Sequence, residues 1–185
     1  EMPAMNAASA VRIIVATALG FAVITPAAAQ NYPTRAVRII APFPAGGSSD
    51  LVARILAQKL TEMNGQQFIV DNRPGAGGTL GTEIGAKAVP DGYTLTVGNV
   101  APTAVNVSLF KKLPYDPVND FAPIALSAVG TTVLVVHPSL PVRTVKDMIA
   151  LAKSKPGQLN YGSGGSGTPA HLTGELFRYM AKVNI

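Results

Sequence analysis

The chain has 185 residues, with 15 Lys+Arg against 10 Asp+Glu and a formal charge of +5. Hydrophobic residues make up 48%, enough to build a core and too many for a disordered tail. With no cysteine, a disulfide framework, a thiolate metal site, a cysteine nucleophile and a lipid-anchored N-terminal cysteine are all excluded, while 18 Gly and 15 Pro, above a usual combined share of about 12%, imply many specified turns.

From Ile13 to Ile24 the chain runs IIVATALGFAVI without a charge. A membrane-spanning helix needs about 20 apolar residues, whereas the core of a secretory signal needs about 7–15. Arg12 precedes this core and Ala27-Ala28-Ala29 offers a small-residue cleavage site before Gln30, so residues 1–29 read as a cleaved signal peptide and the protein as secreted. The basic residues are scattered, the longest run being Lys111-Lys112, and no aromatic side chains interleave with them to stack bases. No nucleic-acid partner is expected.

Ala36–Ala41 (AVRIIA) is a short β-branched run and predicts a strand, ending in the turn-rich loop Pro42 to Asp50 (PFPAGGSSD). Leu51, Val52, Ile55, Leu56, Leu60 and Met63 then recur at helical spacing, with Ser49 or Asp50 as a cap and Gly65 as the stop. Phe68-Ile69-Val70 predicts a second strand, followed by the loop Asp71 to Gly78 (DNRPGAGG). Thr79–Val89 is a weaker helix, interrupted by Gly81 and Gly85, and Tyr93–Val97 a third strand. The order βαβαβ is that of a parallel sheet, in which ligands gather outside the carboxyl ends of the strands.

Beyond Lys111 to Phe121, a connector with a helical turn before it, Ile124–Ala128 and Thr132–Val136 predict strands around Gly130, where the chain crosses to a second unit. Thr144-Val145-Lys146-Asp147 matches a capping box opening a helix that Gly157 ends. A strand at Leu159-Asn160-Tyr161, the loop Gly162 to Pro169 (GSGGSGTP) and a helix carrying Leu172, Leu176, Phe177 and Met180 begin another β-loop-α module, and Val183-Asn184-Ile185 reads as the start of its next strand.

Two loops, after the first strand and after Tyr161, are rich in Gly and Ser and lead into helices. Converging backbone N–H groups, a helix N-terminus behind them and the hydroxyls of Ser48, Ser49, Ser163, Ser166 and Thr168 suit a carboxylate or phosphate; the same glycines also suit tight turns and close helix–sheet contacts. Gly162-x-Gly164-x-x-Gly167 matches a dinucleotide fingerprint, so a nucleotide-cofactor-dependent α/β enzyme is the competing reading. The acidic residue that should bind the ribose about 20 residues on is absent, since that position falls at Lys182 and Glu175 comes too early. His137 reads as structural, and His171 fits either a ligand hydrogen bond or a helix cap. Arg73 fits either an anionic ligand or a turn brace. Two isolated histidines, no H-E-x-x-H, no paired carboxylates, no G-x-S-x-G and no Walker A sequence leave no catalytic, metal or cofactor site to assign.

Taken together, Tyr32-Pro33 with Val37-Arg38-Ile39, PFPAGGSSD, DNRPGAGGTLG, PDGYTL, LFKKLPYDPVNDFAPI and LNYGSGGSGTPAHLTGELF resemble the Bug-type receptors of tripartite tricarboxylate transporters, periplasmic solute-binding proteins. The resemblance implies a non-enzymatic α/β protein of the two-lobed periplasmic binding protein type 2 fold. Residues 30–129 would form the first lobe, with its βαβαβ parallel sheet, and residues 130–185 the N-terminal part of an incomplete second lobe. It implies a monomer that closes on a small carboxylate (a di- or tricarboxylate, an acidic amino acid or an aromatic acid) and delivers it to the membrane subunits of the transporter. The carboxylate would be held by Phe43, Ala45, Gly46, Gly47, Ser48 and Asp50 in one loop and by Ser163, Gly164, Ser166, Gly167, Thr168 and His171 in the other, with Asn99 lining the cleft. Members of the family are nearly twice as long, so the sequence reads as a fragment whose first lobe folds while the second-lobe stub binds weakly or aggregates.

Overall fold

The computed structural model describes residues 31–185; the signal-peptide reading falls outside them. Residues Pro33–Ile185 form one compact unit. Its centre is a three-stranded parallel sheet of β1 (Val37–Ala41), β2 (Phe68–Asn72) and β3 (Thr94–Thr96), in the order β2-β1-β3. The registers pair Val37 with Phe68, and Ile39 with both Val70 and Leu95. The β1–β2 connection is α1 (Ser48–Asn64); the β2–β3 connection is a 3-10 turn (Ala76–Gly78) leading into α2 (Thr79–Ala86). The chain thus leaves β1 to one side and returns to its other side, which puts the topological switch between β1 and β3, at the carboxyl edge where such sheets bind ligands.

Alternation decides the core. Val37, Ile39 and Ala41 point to one face, where they meet Phe68 and the Ala53 and Ala57 of α1, flanked by Leu60, Val70, Leu95 and Val97. The face of α1 against the sheet is therefore its small side, Ser49, Asp50, Ala53 and Ala57. Leu51, Ile55 and Met63, expected on the buried stripe, are exposed instead. Alanines at these positions let the helix axis approach the sheet, and a leucine could not fit there without pushing it off. On the opposite face Ile40 is fully buried and α2 lies close: a Cβ at Gly81 would fall 2.6 Å from the Arg73 carbonyl oxygen and 2.7 Å from Pro42 Cα, and one at Gly85 would strike Thr96. The two glycines that weaken α2 as a helix are what allows it to pack.

Gly65 stops α1 in the left-handed conformation, φ 69°, with its N–H on the Thr61 carbonyl. The helical turn before the connector is a π turn (Ala101–Val105) running into the short helix α3 (Asn106–Leu109). The capping box forms as read from Thr144 and Asp147 and opens α4 (Val145–Ser154). The last helix is α5 (Pro169–Ala181).

The strands expected at 124–128, 132–136 and 159–161 do not form. Ile124, Leu126, Val129, Val133 and Val135 are all more than 70% exposed. A strand exists only through hydrogen bonds to a neighbour, and no described segment pairs with these residues. Residues 183–185, expected to start a strand, also remain irregular.

Candidate functional site

The loop after β1 is built around one carboxylate. Asp50 lies in the first turn of α1, is 3% exposed, and turns back into the loop instead of capping its helix. Its Oδ2 accepts from the Gly46 N–H at 2.8 Å and from Arg54 Nε at 3.0 Å; its Oδ1 accepts from Asn72 Nδ2 at 3.0 Å. Asn72 also donates to the Phe43 carbonyl at 3.2 Å, tying the loop to the end of β2. The Arg54 hydrogen bond, then those from Gly46 and Asn72, hold the Asp50 carboxyl at a pKa of about 2. Asp50 therefore shapes the loop, its charge already satisfied by the protein.

The loop leaves the start of α1 without a side-chain cap. Gly47 is the N-cap residue and makes no side-chain capping bond. The first-turn N–H groups have no partner within a helix, and they sit at the positive end of a 17-residue dipole. Ser48 is exposed, and Ala45 and Gly46 beside it are exposed too. At the switch point Asn99 Nδ2 reaches Ser49 Oγ at 3.5 Å, while its Oδ1 accepts from the Ala101 N–H at 3.3 Å. Asn99 thus joins the start of α1 to the loop after β3 at the carboxyl edge of the sheet.

The loop before α5 is organised differently. Thr168 caps α5 itself, its Oγ1 accepting from the His171 N–H at 3.4 Å and donating to the Gly165 carbonyl at 2.7 Å. The Gly167 N–H donates to His171 Nδ1 at 3.2 Å. Nδ1 is then the unprotonated nitrogen and Nε2–H the remaining donor. Thr168 is 6% exposed and spends its hydroxyl on the loop, whereas Ser163, Gly164 and Ser166 are exposed. His171 braces this loop, and the helix cap is Thr168.

The two loops are linked through the turn after β2, whose residues were not among the expected site. Gly78 packs against the Phe43 ring and Pro102, where a Cβ would meet Phe43 Cζ at 3.0 Å. A Cβ on Gly77 would lie 2.6 Å from the Ser166 carbonyl oxygen. Arg73 takes the bracing role of its two: its Nε lies 2.9 Å from Asp71 Oδ1, and Arg38 Nε donates to Asp71 Oδ2 at 2.7 Å. Burial opposes ionisation of Asp71, yet these two guanidiniums hold its carboxyl below the ordinary value. His137 makes a local turn with Ser139. The LPYDP stretch is structural as well: the Tyr115 hydroxyl donates to the Pro102 carbonyl at 2.7 Å, and Asp116 accepts from the Val118 and Asn119 N–H groups. Among the described residues no three His, Asp or Glu side chains group to hold a metal, and no helix is long and apolar enough to cross a membrane.

Residues 52–185 match the family described as the tripartite tricarboxylate transporter family receptor. Protein BugT of Bordetella pertussis is 40% identical over 167 residues, which are 90% of this chain and 50% of BugT. The chain thus spans about half the length of the curated relatives it matches. R. palustris Rpa4515 with adipate superposes with a TM-score of 0.81 at 40% identity, over 83% of this chain and 52% of that one. MatC (Rpa3494) from Rhodopseudomonas palustris with bound malate superposes with a TM-score of 0.71 at 32% identity, over 83% and 52%. The chain belongs to the receptor family of the tripartite tricarboxylate transporters, a family of solute-binding receptors and not of enzymes.

Proposed function

We propose that the chain supplies the first lobe, residues 30–129, and the opening part of the second, residues 130–185, of a periplasmic receptor that captures a small carboxylate and delivers it to the membrane subunits of its transporter as a monomer, with no nucleic-acid role. The observation that carries this reading is the uncapped N-terminus of α1 in a Gly/Ser loop at the sheet's switch point, brought next to a second Gly/Ser loop by Gly77 and Gly78. One carboxylate end of a ligand fits the first-turn N–H groups and Ser48; Asn99, Ser163, Ser166 and the Nε2–H of His171 supply further donors. Two related structures hold adipate and malate, both dicarboxylates, which agrees with a donor-rich site. Contacts from both lobes would favour a closed state, and binding would be read out as closure.

Titration calorimetry with adipate, malate, citrate and glutamate, on the receptor completed to the length of its relatives, tests the reading. Saturable binding of at least one acid, weakened about tenfold by Ser163→Ala with Ser48→Ala, is the expected result. Binding by none of a broad panel of carboxylates, or binding that ignores the double substitution, would overturn it.

A further inference from the structure

Asn106 is fully buried at the start of α3, between two loops that are distant in sequence. Its Nδ2 donates to Thr79 Oγ1 at 3.0 Å and to the Gly77 carbonyl at 3.4 Å, both in the segment after β2. Its Oδ1 points the other way and has no hydrogen-bond partner among the described residues. That oxygen faces Gly167 so closely that a Cβ there would lie 2.7 Å from it, with Leu109 Cδ1 at 3.1 Å. Ser166, the preceding residue, carries the carbonyl that abuts Gly77. A buried polar side chain of this kind touches both loops at once, and the glycine on the far side leaves room for it.

Asn106 is in turn held from behind. The Tyr115 hydroxyl binds the carbonyl of Pro102 in the π turn that leads into α3, and Tyr115 packs edge-on against Phe121 with ring centroids 6.3 Å apart. Burial raises the Tyr115 pKa, so its hydroxyl stays a donor across the ordinary pH range. The LPYDP stretch, which no ligand chemistry required, therefore supports the turn that presents Asn106.

We infer that Asn106 is a positioning residue that seats the second Gly/Ser loop against the turn after β2, and so sets the spacing of the donors on either side of the ligand. It touches no ligand itself. Its donor side fixes the height of Gly77 and Thr79, and its acceptor side is the surface on which Gly167 rests. The assignment builds on the carboxylate-site reading above, but its geometry can be tested without a ligand.

The chain contains no cysteine, so paired spin labels can be introduced cleanly at Met63→Cys on α1 and Tyr179→Cys on α5, both well exposed. Pulsed electron resonance on the full chain then reports the α1–α5 distance. Asn106→Leu and Gly167→Ala are each expected to lengthen or split that distance, and their combination to do little more than either alone, because both break one contact. Two controls isolate the cause. Thr82→Val removes a buried hydrogen bond to the Gly78 carbonyl and should lower thermal stability without moving α5; Gly65→Ala introduces the same kind of left-handed strain as Gly167→Ala, far from any neighbour, and should leave the distance alone. An unchanged distance in Asn106→Leu, or an equal shift in Thr82→Val, overturns the inference. If Asn106→Leu does not fold, Gly167→Ala carries the measurement, and an unchanged distance there overturns it equally. Calorimetry with adipate and malate separates the two readings. A shifted distance in a chain whose native form binds neither acid keeps the positioning role and counts against the carboxylate site. Native binding with undiminished affinity and unchanged distance in Asn106→Leu does the reverse.

Discussion

The two Gly/Ser loops look alike in sequence and are built on opposite plans. In the first, a side chain of α1, Asp50, turns back to hold the Gly46 N–H, and the helix N-terminus is left uncapped behind Gly47. In the second, Thr168 caps α5 with its own hydroxyl and His171 takes the Gly167 N–H, so the helix end is closed. An open helix N-terminus attracts an anion, and a self-capped one does not need it. On the proposed reading the first loop would be the stronger seat for a carboxylate, with the second contributing hydroxyls from Ser163 and Ser166.

The sharpest way to break this contrast is to disturb the floor of the first loop. Gly81→Ala would push a methyl into Pro42 and the Arg73 carbonyl, groups of backbone that cannot swing away, and should cost about 1–3 kcal/mol in denaturant unfolding. Gly162→Ala, in the second loop, meets nothing within 4 Å and should change stability by under about 0.5 kcal/mol. Equal costs would mean that the two loops are anchored alike. Next in size, Gly47→Asp places a carboxylate where the ligand's is expected. Carboxylate affinity should fall about tenfold by calorimetry while the helix gains a few tenths of a kcal/mol from its new cap. Unaltered affinity would move the anion away from α1.

Thr168→Ala should cost about 1 kcal/mol by loss of the cap, whereas Ser48→Ala, exposed and not a cap, should be near neutral in thermal unfolding. A further effect concerns acid. The folded Asp50 pKa is about 2, below the ordinary value of 3.8, so its contribution to stability is fully present above about pH 4 and disappears as pH falls through 2. Asp50→Asn should flatten the fall of the thermal midpoint between pH 4 and pH 2 and leave its slope near neutrality unchanged. A native-like acid profile in Asp50→Asn would show that the loop brace does not depend on charge.

The same contrast between pattern and context governs the fold. Val37, Ile39 and Ile40 in β1 and Val133, Leu134 and Val135 further on are equally apolar and β-branched or branched, yet the first set is buried and the second exposed. Alternation and turn residues mark where a strand is possible; a ladder of hydrogen bonds from a neighbour makes it one. Local signals were reliable where their partners are local. Gly65 ends α1, and Thr144 and Asp147 form their capping box, because each of these bonds closes within four residues; the cap expected at Ser49 or Asp50 is instead Gly47, since Asp50 is drawn to Gly46, Arg54 and Asn72.

Length, composition and motif by themselves determined the class of the protein, the βαβαβ order and the two Gly/Ser loops, since turn chemistry and helix caps are written in adjacent residues. The tertiary structure alone decided which face of α1 is buried, that Asp50 braces the loop, and that Gly77, Gly78 and Asn106 tie the loops together. Asn106 stands 27 residues from Thr79 in the chain, and its unpaired oxygen faces a glycine further away still. Burial and pairing across such separations depend on which backbones approach closely, and no spacing within the sequence encodes that distance.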